Sequence, residues 1–574
     1  MLQLLPGDEK LNLSLTHCDL DDETPYEALS YAWGDRNDEV EASCNGTPIM
    51  ITVSLATALH HLRLAKRPRR MWVDAICINQ NNPEEKSCQI ALMIRIYQRA
   101  QVVLVWLGDA DNTTEVAMSH ATRLADEGDE VPIARTRQRI DPVRAADTAL
   151  LCLLRRLWFS RIWVVQEVSV GRSVTVWCGI YSIPWSVLKE AATNLETDKK
   201  ACYHMLLERV DDFSKGLRPG LLSLAARYND FLATEPKDKL YALQGLADPH
   251  DKPPLVSDYR RRHEDTYREW AIDCIIAHRG LDVVGCSSGL GPEATTMPSW
   301  VPNWSRPRQR YSLTRARLFA AYTPDYAASA GSVHQHRASC EASILHVRGQ
   351  EVDQLGECGN GLYDVDIPNM SAWRKWIERY TDGLLCLLTW ERIAGLRTKR
   401  DYRTGEDVRD VYWQTLCAGC SREDYNNARQ EYLEWDDEMR SITLLHTFDL
   451  ASIRPVIFCM MTAFFVRRRF LHRLPTIGLS NVPEKEDVRA RFKPRMLFTQ
   501  GRVICRTKSG YLGLVPETAR TGDSVWVLEG ANVPFILRGP STGGRWSVVG
   551  EAYVHGIMQG EAYDKDACVD IQLQ

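Results

Sequence analysis

The alternation of hydrophobic and polar positions is most regular between residues 70 and 108, where it predicts a strand, a helix and a second strand. Residues 71–78 are apolar and rich in β-branched side chains apart from Asp74, as is typical of a strand buried on both faces. Residues 102–107 form a second apolar run, which Gly108 ends. Between the two runs, apolar residues recur at spacings of three and four and predict a helix with one buried face: Ile90, Met93, Ile94, Tyr97 and Ala100. These lengths predict a βαβ unit with parallel strands and a right-handed crossover.

Polar residues predict the start of this helix and a hairpin before it. Asn82 is a suitable helix cap, Pro83 suits the first helical position, and Glu85 stands where a capping-box partner is expected. Further upstream, the pair Asn45-Gly46 lies between two short apolar runs and predicts a tight β-hairpin turn.

The pattern changes twice along the chain and predicts three parts. Residues 1–180 are expected to form an α/β domain with a parallel sheet, interrupted by a long insertion at 108–156. Residues 181–495 have a mainly helical pattern. Residues 496–574 contain short strands separated by glycine-rich turns, which predicts a small C-terminal β domain.

Composition narrows the class of protein. The chain has 574 residues, of which 44% are hydrophobic and 25% are charged, as is typical of a soluble globular protein. Its net charge of −5 gives no overall electrostatic field that would attract nucleic acid. The most apolar stretch, residues 456–466, is shorter than the roughly 20 residues of a membrane span and predicts a buried helix. Because no signal peptide is evident, the 17 cysteines are expected to be reduced in a cytoplasmic protein.

The standard catalytic and metal-binding signatures are absent from the sequence. It contains no P-loop, no G-x-S-x-G elbow, no H-E-x-x-H and no kinase set. The Cys417-x-x-Cys420 pair has no second pair at zinc-ribbon spacing, so no metal site is expected.

Two acidic residues in apolar surroundings are the candidates for chemistry. Glu167 lies in the run IWVVQEVSV, with Ser160 as a candidate helix cap and Trp163 one turn earlier on the same predicted helix face. Burying a carboxylate is costly unless it is paired, so Glu167 is either a functional acid or one partner of a structural salt bridge to an arginine. Asp74 poses the same alternatives, because an open α/β sheet places ligand groups at the carboxyl ends of its strands.

These residues lie in blocks that resemble fungal heterokaryon incompatibility (HET) domain proteins. The blocks are YEALSYAWGD at 26–35, RMWVDAICINQNNPEEKSCQIALMIRIYQRAQVVLVWLGD at 70–109 and LWFSRIWVVQEVSVG at 157–171. Further likeness occurs at DKLYALQGLA (238–247), at PSWVPNWS (298–305) and in the C-terminal strands, whereas residues 306–493 match poorly.

The resemblance implies a role in non-self recognition, in which the fusion of incompatible strains triggers growth arrest and cell death. HET domains are similar to TIR domains, so a TIR-like (flavodoxin-like) sheet with helices on both faces is expected. Several TIR domains cleave NAD, and their S-x-W-C-x-x-E pattern resembles Ser160…Trp163…Glu167, with the serine one residue further away. By this resemblance Glu167 is the catalytic carboxylate and NAD is a substrate rather than a cofactor. The loop after the first strand would contribute to binding.

The resemblance leaves three hypotheses open. In the first, Glu167 stabilises the developing charge on the ribose, while the NAD-binding residues are Trp33, Gly34, Asp35, Asp74 and Trp163. In the second, the domain is a non-enzymatic module that self-associates or binds an incompatibility partner protein, and Glu167 is salt-bridged. In the third, the insertion at 108–156 keeps a HET-like domain inactive. Exposure of Glu167 in a cleft would distinguish the first from the second.

Overall fold

A computed structural model shows two units. Unit 1 comprises Met1–Arg279 with Thr295–Met297 and Val301–Arg308, and unit 2 comprises Gly280–Ala294, Pro298–Trp300 and Gln309–Gln574. The structure describes residues 1–7, 10–127, 141–195, 206, 210, 212–251, 253, 255–287, 289, 297–306, 310, 312–313, 325–333, 343–361, 386–398, 401–419, 424–443, 492–539 and 544–574.

Unit 1 is built on a nine-stranded sheet. Its strands are β1 (Leu2–Leu4), β2 (Asn12–Leu15), β3 (Glu27–Tyr31), β4 (Glu39–Cys44), β5 (Thr47–Thr52), β6 (Arg69–Trp72), β7 (Val102–Trp106), β8 (Val174–Cys178) and β9 (Tyr181–Pro184). The order across the sheet is β5-β4-β2-β1-β6-β3-β7-β8-β9. The central strands β6, β3, β7 and β8 are parallel to their neighbours in this group, whereas β1 and β9 flank the group antiparallel. The prediction of a parallel sheet therefore holds for the centre, but the whole sheet is mixed.

Helices cover both faces of this sheet because successive side chains of a strand point to opposite faces. Leu29 and Trp106 pack in a core cluster with Leu59 of helix α1 (Val53–Leu62). The intervening Ser30 points the other way and contacts Glu167 in a helix on the opposite face. Because both faces of the central strands are buried, most of the residues in these strands are apolar.

The predicted strand at 71–78 is wrong in its second half. Strand β6 ends at Trp72, and a short helical turn, α2 (Asp74–Cys77), follows it. The Asp74 side chain favours this turn because its Oδ1 accepts a hydrogen bond from the N–H of Ala75, 2.7 Å away. Asp74 thus lies just after the strand rather than inside it.

The helix after this turn begins where the sequence predicts. Helix α3 spans Pro83–Arg99, and Asn82 Oδ1 accepts hydrogen bonds from the N–H groups of Glu84 and Glu85. The capping box differs from the prediction, because Glu85 Oε1 accepts from the N–H of Asn79, 3.0 Å away, and so ties the preceding loop. Strands β6 and β7, on either side of α3 in the chain, both pair parallel with β3, which lies between them.

The hairpin prediction is confirmed, and most of the described part of the insertion is helical. Asn45 and Gly46 have φ values of 52° and 79° and join β4 to β5. Within the insertion, helix α4 (Thr114–Glu127) packs against α5 (Asp141–Leu154).

Unit 1 continues with further helices. These are α6 (Ile162–Ser169), α7 (Trp185–Thr193), α8 (Leu221–Tyr228), α9 (Asp238–Gln244) and α10 (His263–His278). Helix α6 packs against both α3 and α9, so residues after 230 contact the part of the sheet domain that carries Glu167.

Unit 2 contains an eight-stranded sheet. Its strands are β10 (Leu345–Cys358), β11 (Arg502–Thr507), β12 (Leu512–Pro516), β13 (Ser524–Leu528), β14 (Phe535–Arg538), β15 (Arg545–Glu551), β16 (Tyr553–Val554) and β17 (Val569–Leu573). The long strand β10 pairs with β17 at its start and with β13 in its middle, which closes β13, β14, β15, β17 and β10 into a ring. Strand β10 comes from the region whose sequence pattern is mainly helical, and it joins strands encoded after residue 500.

Some sequence features lie outside the described residues. They include the apolar run at 456–466 and Cys420 of the C-x-x-C pair. Within the described ranges, no helix combines the length and apolar character that crossing a membrane requires.

Candidate functional site

A cleft of about 400 Å³ opens in unit 1 beyond the carboxyl ends of two central strands. Residues that directly follow β3 and β6 form one side of it, and helix α3 forms its floor through Lys86, Ile90 and Met93. The other side comes from Arg161 and Trp163 at the start of α6 and from the segment that leads into α9. The full lining is Ala32, Trp33, Gly34, Arg36, Asp74, Ile78, Gln80, Lys86, Ile90, Met93, Leu157, Arg161, Trp163, Leu232, Ala233, Thr234, Glu235, Asp238 and Tyr259.

One indole–carboxylate pair joins the loops after β3 and β6. The Trp33 Nε1–H donates a hydrogen bond of 2.8 Å to Asp74 Oδ2. Burial raises the pKa of Asp74, although the Arg161 charge and the Trp33 hydrogen bond both oppose that rise. Gly34 sits beside Trp33 at φ +75°, a conformation that favours glycine. The pair fixes the rim of the cleft.

A second indole–carboxylate pair stands on the other side. The Trp163 Nε1–H donates a 3.0 Å hydrogen bond to Asp238 Oδ2, and the Tyr259 hydroxyl donates to Asp238 Oδ1. Asp238 is buried, and burial raises its pKa despite these two hydrogen bonds. A buried carboxylate that accepts two donors holds both aromatic rings in place.

Three cations also line the cleft: Arg36, Lys86 and Arg161. The guanidinium of Arg36 lies 4.9 Å from the Trp33 ring centroid, and the Lys86 ammonium lies 4.2 Å from that of Tyr259. These are cation–π distances. Arg161 donates to the backbone carbonyl of Tyr31.

Glu167 does not line the cleft. It is 2% exposed, and its Oε2 accepts a hydrogen bond from the Ser30 hydroxyl, which in turn accepts one from Trp158 Nε1–H over 2.8 Å. Burial raises the pKa of Glu167 to about 7, against the opposing effects of the Arg161 charge and the Ser30 hydrogen bond. The sequence left two alternatives for Glu167: a functional acid in a cleft, or a salt bridge to an arginine. Neither describes this arrangement, because the closest partner is a serine and the carboxylate is shielded from the cleft.

The structure brings together four of the six predicted site residues. Trp33, Gly34, Asp74 and Trp163 line the cleft, whereas Asp35 is exposed and accepts hydrogen bonds from the backbone and side chain of Asn37. Ser160 is not the cap of α6, because its hydroxyl donates to the Leu157 carbonyl and Arg161 precedes the helix.

The insertion does not line the cleft where it is described. Of the residues 108–127 and 141–156, none belongs to the lining. A long insertion at this point could cover the cleft, but those residues do not form such a cover.

Sequence reasoning missed the residues that complete the cleft: Lys86, Arg161, Asp238 and Tyr259. The block DKLYALQGLA begins at Asp238 and was the available signal. Its proximity to α6 could not be inferred, because about 70 residues separate the two segments in the chain.

This arrangement suits a ligand with aromatic and anionic parts. Two indoles and a phenol offer ring faces, three cations offer positive charge, and Asp74 supplies a carboxylate with a raised pKa. Among the described residues, no three His, Cys, Asp or Glu side chains gather in a way that could hold a metal ion.

Comparisons with known proteins agree with the sequence blocks. Residues 26–167 match the family model "Heterokaryon incompatibility protein (HET)", and residues 486–573 match "Het-6 beta-barrel domain". The chain is similar to "Heterokaryon incompatibility protein 6, OR allele" of Neurospora crassa, with 24% identity over 96% of this chain and 91% of that protein. No solved structure matches the chain significantly. The resemblance drawn from the sequence is confirmed: the chain carries a heterokaryon incompatibility (HET) domain, followed near its C-terminus by a Het-6 β-barrel domain.

Proposed function

We propose that this chain acts in heterokaryon incompatibility and that the cleft of its HET domain binds NAD and cleaves the bond between nicotinamide and ribose. The match to the HET family and the likeness to the Neurospora crassa incompatibility protein support the first part. In this role the protein takes part in non-self recognition after cell fusion, upstream of growth arrest and cell death.

The position of the cleft is the observation that carries the enzymatic part. Numbered in chain order, the parallel strands β3, β6, β7 and β8 lie in the spatial order second, first, third, fourth. This is the order of flavodoxin-like sheets, to which TIR domains belong, and ligands there bind beyond the carboxyl ends of the strands. The cleft lies at that end, and its volume of about 400 Å³ is in the range of small-molecule sites.

The reaction requires a carboxylate near the ribose. The C1′–N bond breaks, its electron pair leaves with nicotinamide, and C1′ becomes positively charged. Water then adds to C1′ and loses a proton, which yields ADP-ribose. A carboxylate beside C1′ stabilises the charge, and aromatic faces such as those of Trp33 and Trp163 hold the rings of the substrate.

Two carboxylates are candidates for this role. Resemblance to TIR domains assigns Glu167, which is 2% exposed and does not line the cleft. Asp74 already lines the cleft. We assign Glu167 the ribose-facing role, in a conformation that exposes its carboxylate to the cleft, and Asp74 a binding role at the rim.

The second candidate function is a self-associating or partner-binding module without enzymatic activity. The burial of Glu167 at 2% exposure and its hydrogen bond to Ser30 favour this alternative, since they give the carboxylate a structural role.

The deciding measurement is nicotinamide release from NAD by the purified full-length protein at high concentration with a crowding agent. The variants are Glu167→Gln and Asp74→Asn, both close in shape to the original side chains. The matched control is Asp126→Asn, an exposed acid on α4 away from the cleft.

The outcomes separate the hypotheses. Release by the wild type and the control, with at least a hundredfold loss in folded Glu167→Gln, supports the assignment. Loss only in Asp74→Asn would move the catalytic role to Asp74. No release by any assembled form would support the interaction module.

A further inference from the structure

One wall of the cleft lies outside the segment that matches the HET family. The matched segment ends at residue 167, yet Leu232–Glu235, Asp238 and Tyr259 line the cleft. The site is therefore incomplete without a part of the chain that follows the matched segment by more than 60 residues.

This wall is held rigidly. Asp238 binds Trp163 of the matched segment and Tyr259 of the later one. Lys237, which is buried, donates hydrogen bonds to the carbonyls of Tyr259 at 2.9 Å and Arg261 at 2.6 Å. Buried, hydrogen-bonded side chains fix the Tyr259 ring in position without a ligand.

Lys86 faces this ring and forms no ion pair within the described part of the chain. Its acidic neighbours on α3 are engaged elsewhere, since Glu84 pairs with Arg260 at 3.1 Å and Glu85 accepts from the Asn79 N–H. The carboxylate of Asp238 accepts hydrogen bonds from its two donors, and the Lys86 charge acts on it without an ion pair between them. The ammonium of Lys86 lies on the Tyr259 ring face, 4.2 Å from its centroid, at the lining of the cleft.

From this geometry we infer that Lys86 and Tyr259 form a phosphate subsite of the cleft: Lys86 binds a phosphate of a nucleotide, and the wall around Tyr259 positions it. An ammonium that is held over a ring and forms no ion pair with a carboxylate can bind an anionic ligand directly. The inference rests on the proposed function for the class of ligand, and it adds the residues that select phosphate.

The test compares AMP with adenosine, which differ only in the phosphate. Binding to the full-length protein is measured by isothermal titration calorimetry at 50 mM and 200 mM salt, for the wild type, Lys86→Gln, Lys86→Arg and the exposed-loop control Lys66→Gln. We expect the wild type to bind AMP more tightly than adenosine and more weakly at high salt. Lys86→Gln should lose about tenfold for AMP and nothing for adenosine, because one charge-assisted contact is removed. Lys86→Arg should stay within about threefold of the wild type, because it keeps the charge.

Equal losses for AMP and adenosine in Lys86→Gln would overturn the inference, since they would indicate a general change of the cleft. Absence of AMP binding to the wild type would also overturn it. NAD turnover is measured in parallel. Phosphate-dependent binding without nicotinamide release would keep the subsite and reject the cleavage. Turnover with an unchanged KM in Lys86→Gln would reject the subsite and keep the cleavage.

Discussion

Trp163 donates its indole N–H to Asp238, a carboxylate 75 residues later in the chain, over 3.0 Å. The hydrogen bond joins the start of α6 to the start of α9, so that two distant segments form one wall of the cleft. Residues 26–167 therefore do not contain all of the groups that shape the cleft. The segment that forms the cleft extends at least to Tyr259.

The first prediction concerns this hydrogen bond. Trp163→Phe removes the donor and leaves the buried Asp238 with one hydrogen bond fewer, which costs about 1–2 kcal/mol. We expect faster hydrogen exchange in the peptide that covers Asp238–Gln244, measured by mass spectrometry. Trp185→Phe is the control, since that buried indole N–H has no hydrogen-bond partner among the described residues. Equal exchange in the two variants would show that the contact does not hold the wall.

The second prediction follows from the raised pKa of Glu167. Its ordinary value is 4.5, and burial raises it to about 7. Below pH 4.5 the carboxyl is protonated in both states and carries no penalty. As the pH rises towards 7 the unfolded state loses its proton first, so the folded state is progressively destabilised, by roughly 3 kcal/mol at the upper end.

Glu167→Gln removes this penalty and keeps an acceptor for Ser30. The variant should match the wild type near pH 4.5 and become the more stable of the two between pH 5 and 7, with a constant difference at higher pH. Exchange of the Ile162–Ser169 peptide at several pH values measures this difference. A difference that does not vary with pH would mean that Glu167 keeps an ordinary pKa.

The sequence predicts the centre of unit 1 well because local signals agree there. Asn82 and Pro83 define the start of α3, and Asn45-Gly46 defines the β4–β5 turn. Asp74 is the exception, since an apolar run predicts a longer strand, whereas the aspartate side chain binds its own backbone and starts a helical turn.

The candidate site is only partly predictable for a different reason. Residues near strand ends, such as Trp33 and Asp74, can be placed from the sheet alone. Asp238 and Tyr259 cannot, because their contacts depend on how later helices pack. The exposure of Glu167 cannot be predicted from the helical pattern either. The pattern places Glu167 one turn after Trp163. It does not show that Arg161 lines the cleft whereas Glu167 does not.

The third prediction tests the backbone at the rim. Gly34 has φ +75°, and a Cβ there would lie 3.1 Å from Ser54 Cβ. Gly34→Ala combines left-handed strain with crowding, so we expect a loss of roughly 1–3 kcal/mol in the free energy of unfolding. Gly46→Ala is the control, because Gly46 has φ +79° and open space around its Cβ position. If both variants lose the same stability in thermal unfolding, crowding against Ser54 contributes nothing.

The fourth prediction concerns unit 2, where Arg502 and Glu551 form an ion pair of 2.8 Å with both side chains fully buried. Glu551 Oε1 also accepts the N–H of Leu313, so one carboxylate ties β11, β15 and a loop. Removal of Glu551 leaves the Arg502 charge buried and uncompensated at a cost of about 3–5 kcal/mol. Replacement of both residues by apolar groups removes the Arg502 charge, although the neighbouring Arg310, on which the Glu551 charge also acts, keeps a buried charge. Glu551→Leu should therefore unfold unit 2 at a lower denaturant concentration than the double variant Arg502→Met/Glu551→Leu.

Hydrogen exchange in β11 and β15, measured as the denaturant concentration is raised, distinguishes the two variants. Lys565→Gln, at an exposed site on the same unit, controls for a general charge change. If the double variant is as unstable as the single one, the pair is needed for packing and for its other hydrogen bonds rather than for mutual neutralisation.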